Sequence, residues 1–164
     1  MHRALLLSDN IFFENIAERL GKVRLDFWLS KSGLCDAQNM GSWLGTRLKD
    51  AVHGGSLKAS PRRIHAFFVN LLTGRLPSCP VIRNSLEAAL AWPSPDPQVR
   101  LFGKTGTWGG AVWFVGFGEK AGKRTFVTVC CRGTLAGRPA VISRFYRQFD
   151  LLWNSKLLDD FLGR

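Results

Sequence analysis

Helical periodicity in the first half, strand periodicity after a proline-rich connector and helical periodicity again at the end predict an α+β fold. Apolar residues recur at helical spacing up to about Leu90. Pro93-Ser94-Pro95-Asp96-Pro97 then stiffens the chain, and the stretches beyond it are rich in Val, Phe, Trp and Thr. At 164 residues, 46% hydrophobic and 21% charged, the composition is that of one globular domain over 1–164. Its helical part covers 1–92, and a sheet with a closing helix covers 98–164.

In chain order, Ser8-Asp9-Asn10 supplies capping residues for a helix running to Leu20, with Phe12, Phe13, Ile16, Ala17 and Leu20 on one side and Gly21 as its stop. A second short helix is expected over Val23 to Ser32, ended by Gly33. From Leu34 to Ala59 glycines break the pattern and predict mainly loop, with one helical turn around Leu44 to Val52. Ser60-Pro61 pairs a capping serine with a proline at the first helical position. Ile64, Phe67, Phe68, Leu71 and Leu72 then form a buried stripe that Gly74 terminates. Another helix is expected from Pro80 to Leu90.

Three strands follow, over Val99 to Thr107, Ala111 to Gly118 and Arg124 to Arg132, as an antiparallel meander with a polar hairpin turn at Glu119–Lys123. A long helix from Pro139 to Leu162 should lay Ile142, Phe145, Tyr146, Phe149, Leu152, Trp153 and Leu157 on the sheet. Cys35, Cys79, Cys130 and Cys131 contain no C-x-x-C pair, and with three histidines there is no zinc-like spacing. All four are expected as small core residues, and neither metal nor cofactor is expected.

The stretch Gly103-Lys104-Thr105-Gly106-Thr107 reads as a strand that handles an anion. Lys104 supplies the charge, and Thr105 and Thr107 share one strand face. Gly106 is expected to leave room for a close-approaching ligand. A phosphate-binding loop is disfavoured, because it needs glycine where Gln98 stands and a helix where the sequence is strand-like. The net charge of +11 is spread along the chain and favours anionic partners, whether a carboxylate, an anionic cell-wall polymer or nucleic acid. No apolar run reaches membrane-spanning length, and Met1–Leu7 lacks the length and cleavage site of a signal peptide.

Ser8-Asp9-Asn10 and Lys104-Thr105-Gly106, in that order, resemble the S-D-N and K-T-G motifs of the serine β-lactamase and penicillin-binding-protein (DD-peptidase) superfamily. The order of elements is similar to the C-terminal two-thirds of that fold. The resemblance implies a β-lactamase/transpeptidase-like three-stranded sheet covered by a C-terminal helix, without the N-terminal helix and two strands of the family. It implies that Ser8 relays a proton to the departing amine, that Asn10 hydrogen-bonds the substrate amide, and that Asp9 holds the loop. Lys104 would supply positive potential, Thr105 and Thr107 would bind the substrate carboxylate beside Gly106, and the backbone N–H of Thr107 would serve as an oxyanion donor.

The family's S-x-x-K nucleophile has no counterpart here, and Thr46-Arg47-Leu48-Lys49 falls after Ser8 rather than before it. The activity implied, acyl-serine transfer or hydrolysis on a β-lactam or acyl-D-Ala-D-Ala-like ligand, is therefore incomplete in this chain, and whether it is an enzyme stays open. A class A glutamate is lacking between Leu34 and Ala59, Glu14 is similar to the DD-peptidase pattern, and Trp113 to Phe117 is closer to β-lactamases including class D, so the subfamily stays open too. The missing strands would leave the edge of Arg124 to Arg132 bare. The chain is expected to be a C-terminal fragment of a longer reading frame, or to be completed by another chain bringing strands and nucleophile. Family resemblance implies a periplasmic or extracellular location. Two alternatives are a non-catalytic peptidoglycan- or β-lactam-binding module and a basic nucleic-acid binder; the second is disfavoured because the aromatics follow core periodicity.

Overall fold

A computed structural model describes residues 2–34 and 59–163. The chain divides into two compact units, residues 3–83 and 84–164. The helical turn expected near Leu44 to Val52, together with Cys35 and Thr46–Lys49, lies outside the described residues.

The first unit is helical. A six-residue helix α1 (His2–Leu7), which sequence periodicity does not announce, precedes α2 (Asn10–Ser32). Between them Ser8 adopts φ 55, and Ser8 N–H donates to the Leu5 carbonyl while Asp9 N–H donates to that of Ala4. Asp9 caps α2 through Oδ1, which accepts from the Phe12 N–H at 3.0 Å. The left-handed Gly33 ends the helix. Gly21, at φ 74 and ψ 161, interrupts α2 where the sequence predicts a stop, so the element is two helical arms meeting at a kink.

Helix α3 (Pro61–Leu72) begins as its sequence dictates. The Ser60 hydroxyl accepts from the Arg63 N–H at 3.3 Å, and Pro61 opens the first turn. Of its stripe, Phe68 and Leu72 are buried and Ile64, Phe67 and Leu71 half-buried. Helix α4 (Pro80–Ala89) follows.

The second unit carries a sheet of four strands, β1 (Ala91–Trp92), β2 (Val99–Trp108), β3 (Ala111–Lys120) and β4 (Lys123–Arg132), paired antiparallel in chain order. The sheet is one strand larger than the three predicted, because β1 is too short to show a period. Two-residue turns close both hairpins. Gly109-Gly110 and Ala121-Gly122 all have positive φ, the backbone twist that matches tightly paired strands.

Both sheet faces contribute to the core, Phe102, Val115 and Phe117 being buried on one of them. Val99, Leu101, Val112 and Phe114 are at most 2% exposed and meet α5 (Arg138–Arg147), whose Val141 and Phe145 are fully buried. The Phe114 and Phe145 rings lie 4.2 Å apart. On the other face Phe102 stacks on Phe117 at 4.5 Å, and Arg124 bridges Glu87 and Glu119 at 2.8 and 3.1 Å above the Phe117 ring.

Two expectations fail. The single helix predicted over Pro139 to Leu162 is two, α5 and α6 (Ser155–Leu162), separated by a segment in which Asp150 adopts φ 59. Asn154 caps the restart, accepting from the Leu157 N–H at 3.1 Å. The break lets Phe149 lie over Gly118, where a Cβ would stand 2.3 Å from its ring, and buries Leu151 while Leu152 is left 80% exposed. The three cysteines among the described residues are not core residues either. Cys79 precedes α4 and Cys130 lies on the edge strand, both exposed, and Cys131 is half-buried.

Candidate functional site

Strand β2 sets the geometry of the candidate site. Gly103 is fixed on both sides of its peptide: its N–H donates to the Leu90 carbonyl at 2.8 Å, and its carbonyl accepts from the Trp92 indole N–H at 2.8 Å. The next residue, Lys104, turns its ammonium back to donate to the Thr105 carbonyl at 2.8 Å. Thr105, opposite Phe114, is 8% exposed and faces the α5 side, whereas Thr107 is more open.

Gly106 has a packing reason of its own. A Cβ there would stand 2.3 Å from the Trp113 indole, so the missing side chain makes room for the cross-strand tryptophan. The same economy recurs at Gly103, whose Cβ would meet Phe114 at 2.3 Å and the Val115 carbonyl at 2.7 Å.

One residue joins the site that sequence reading missed. Arg138, the first residue of α5, donates from Nε to the Thr107 hydroxyl at 3.0 Å. Together with burial, which is the larger cause, its charge pushes the Lys104 ammonium down to about 8. Arg138 and the Thr107 hydroxyl therefore meet on the α5 face of β2, with the Lys104 charge, on the opposite strand face, within electrostatic reach of Arg138. Such a set suits a carboxylate, since a guanidinium offers paired donors and an ammonium a point charge. The only sequence sign was Gly137-Arg138-Pro139, a helix start with a long cation at its first turn.

The other predicted residues lie in the first unit. Ser8 sits in the left-handed junction between α1 and α2, Asp9 is the cap and Asn10 opens α2. Ser8 is half-buried, while Asp9 and Asn10 are exposed. Among the described residues no group of His, Cys, Asp and Glu is placed to hold a metal ion. No described helix is long and apolar enough to cross a membrane.

Solved structures that align along most of this chain include class D β-lactamases. The fold is that of the serine β-lactamases. A class D β-lactamase from Nostoc aligns over 92% of this chain at 22% identity with a TM-score of 0.75. One from Bacillus subtilis aligns over 93% at 18% identity and a TM-score of 0.77, and the BPu1 β-lactamase gives the same figures. The chain spans 63–65% of the length of these structures. No protein-family model matches the sequence, and no curated protein matches it.

Proposed function

We propose that this chain binds the carboxylate of a β-lactam or of an acyl-D-Ala-D-Ala-like peptide at Lys104, Thr107 and Arg138. The observation that carries the reading is the convergence of the Arg138 guanidinium on the Thr107 hydroxyl at 3.0 Å, close enough to Lys104 to lower its pKa. A carboxylate placed there would receive a charge-assisted hydrogen bond from Arg138 and a hydrogen bond from the Thr107 hydroxyl, with Lys104 adding positive potential. Thr105 completes the polar strand, Gly106 admits the Trp113 indole that walls it, and the Thr107 N–H would polarise the ligand carbonyl.

In this reading Ser8 relays a proton to the leaving nitrogen, Asn10 hydrogen-bonds the ligand amide and Asp9 holds the junction by capping α2. The left-handed φ of 55 at Ser8 supports a functional role, because such a conformation for a side-chain-bearing residue costs about 1 kcal/mol or more and tends to be kept at working sites. Acyl transfer also needs a nucleophile with its base. With no S-x-x-K in the sequence, a nucleophile would come from an N-terminal segment or a second chain, and this chain alone is a binding domain.

Calorimetric titration with benzylpenicillin, paired with intact-mass spectrometry, tests the reading. Saturable binding without an adduct is expected, lost in Arg138→Leu. Absence of binding at millimolar ligand, or binding indifferent to Arg138→Leu, would overturn it.

A further inference from the structure

In the first unit, the arm of α2 that follows the kink at Gly21 turns its largest apolar side chains outward. Val23, Phe27 and Trp28 are 82%, 53% and 49% exposed, and Arg24, Ser30 and Lys31 are exposed beside them. Leu25, Asp26, Leu29 and Ser32 are half-buried instead. At about 100° of helical rotation per residue the exposed set forms one continuous face and the half-buried set the opposite one. Along the helix axis Arg24 stands one turn before the aromatic pair and Lys31 one turn after it. The Phe27 and Trp28 rings meet edge to face at 5.3 Å, and the Lys31 ammonium lies 5.9 Å from the centre of the Phe27 ring. Neither cation has an ion-pair partner among the described residues.

We propose that this face docks on an anionic lipid bilayer, with Val23, Phe27 and Trp28 entering the headgroup boundary and Arg24 and Lys31 reaching lipid phosphates. An aromatic wedge bracketed by two long cations matches the layering of such a surface, apolar acyl carbon below and phosphate above. The acid of the arm, Asp26, is half-buried on the far side, so nothing on the docking face repels phosphate. The net charge of +11 adds long-range attraction to the same partner. The arm would lie in the interface rather than cross it, since no described helix is long and apolar enough to span. A second copy of this chain fits poorly, because laying two such faces together in either direction sets Arg24 and Lys31 against cations with no acid to meet them. The inference does not depend on a carboxylate ligand at Lys104.

Flotation of the full chain with vesicles of equal parts phosphatidylglycerol and phosphatidylcholine, at physiological salt, tests it. The double variant Phe27→Ala, Trp28→Ala keeps good helix formers at both positions. It should weaken partitioning about tenfold or more, because two ring surfaces no longer leave water. Arg24→Glu, Lys31→Glu should weaken it by a similar factor. Arg144→Glu, Arg147→Glu on α5, an equal change of net charge, should weaken it less. A second readout needs no loss of binding. With brominated acyl chains the tryptophan emission should be quenched, and Trp28→Phe should bind nearly as well yet lose most of the quench, although it removes one tryptophan of six. Undiminished partitioning of the aromatic variant, equal losses from the two charge reversals, a quench that persists in Trp28→Phe, no binding to the anionic vesicles, or a dimer in vesicle-free solution that the aromatic variant dissociates would each overturn the proposal.

Discussion

Replacing Lys104 with methionine should stabilise the protein at neutral pH. Burial and the neighbouring Arg138 hold the ammonium at about 8 in place of 10.5. At roughly 1.4 kcal/mol per pH unit, that difference amounts to about 3 kcal/mol of folding free energy. Above pH 10.5 the amine is neutral in folded and unfolded chains and costs nothing. Between 10.5 and 8 the unfolded chain takes up the proton and the folded one does not, so stability falls as pH is lowered; below 8 the whole cost is present. Methionine removes that cost but also the Nζ bond to the Thr105 carbonyl, worth about 1 kcal/mol. The net gain at pH 7 is then about 2 kcal/mol, or roughly 4–8 °C in Tm for a chain of this size. Urea unfolding of both proteins at pH 7, 9 and 10.5 measures it. The gain should shrink with rising pH and change sign near pH 10, about where the remaining cost falls to that of the lost bond. Burial raises the pKa of Tyr146 and gives the opposite slope in alkali, but it does so in both proteins and cancels in the difference. A difference independent of pH, or destabilisation by methionine at pH 7, would refute the reasoning.

Arg138→Leu should move the Lys104 titration upward, because one of its two depressing causes is gone; the pH dependence of stability relative to Lys104→Met reads this directly. Benzylpenicillin affinity in the unaltered protein should decline as pH rises through about 8, where Lys104 loses its charge, and an affinity flat to pH 9.5 would count against Lys104 as a ligand. Gly106→Ala should cost about 1–3 kcal/mol through its clash with Trp113, and Trp113→Leu should relieve much of that cost in the double variant. Tyr146→Phe leaves the Pro93 carbonyl, which accepts from the Tyr146 hydroxyl, without that donor, and denaturant unfolding should show a loss of about 1–3 kcal/mol.

The sequence announces β2 to β4 because their alternating Val, Phe, Trp and Thr have no other stable use, and α3 because Ser60-Pro61 both caps and pre-sets its first turn. β1 is invisible, since a two-residue strand shows no alternation and its evidence is a pair of bonds to Gly103, eleven or more residues away. The over-long final helix was a failure of periodicity. Phe145, Phe149, Leu152 and Trp153 keep helical spacing through a stretch that Asp150 turns left-handed. At the candidate site, Lys104 and Thr107 are suggested by one tetrapeptide. Arg138 is not, because its bond to Thr107 spans 31 residues. Cys130 misled for a related reason: residue type argues for burial, while exposure is set by which strand ends the sheet.

Gripping Gly103 by both its amide and its carbonyl has an effect out of proportion to two hydrogen bonds. Sliding β2 by one position would exchange the sides on which Lys104 and Thr105 emerge, swapping a cation into the aromatic interior and a hydroxyl out of it. Trp92 thus acts as an indexing pin. Replacing its indole N–H would loosen the count of the strand before it loosened the core, so the proposed anion recognition is vulnerable at a tryptophan twelve residues upstream of the lysine.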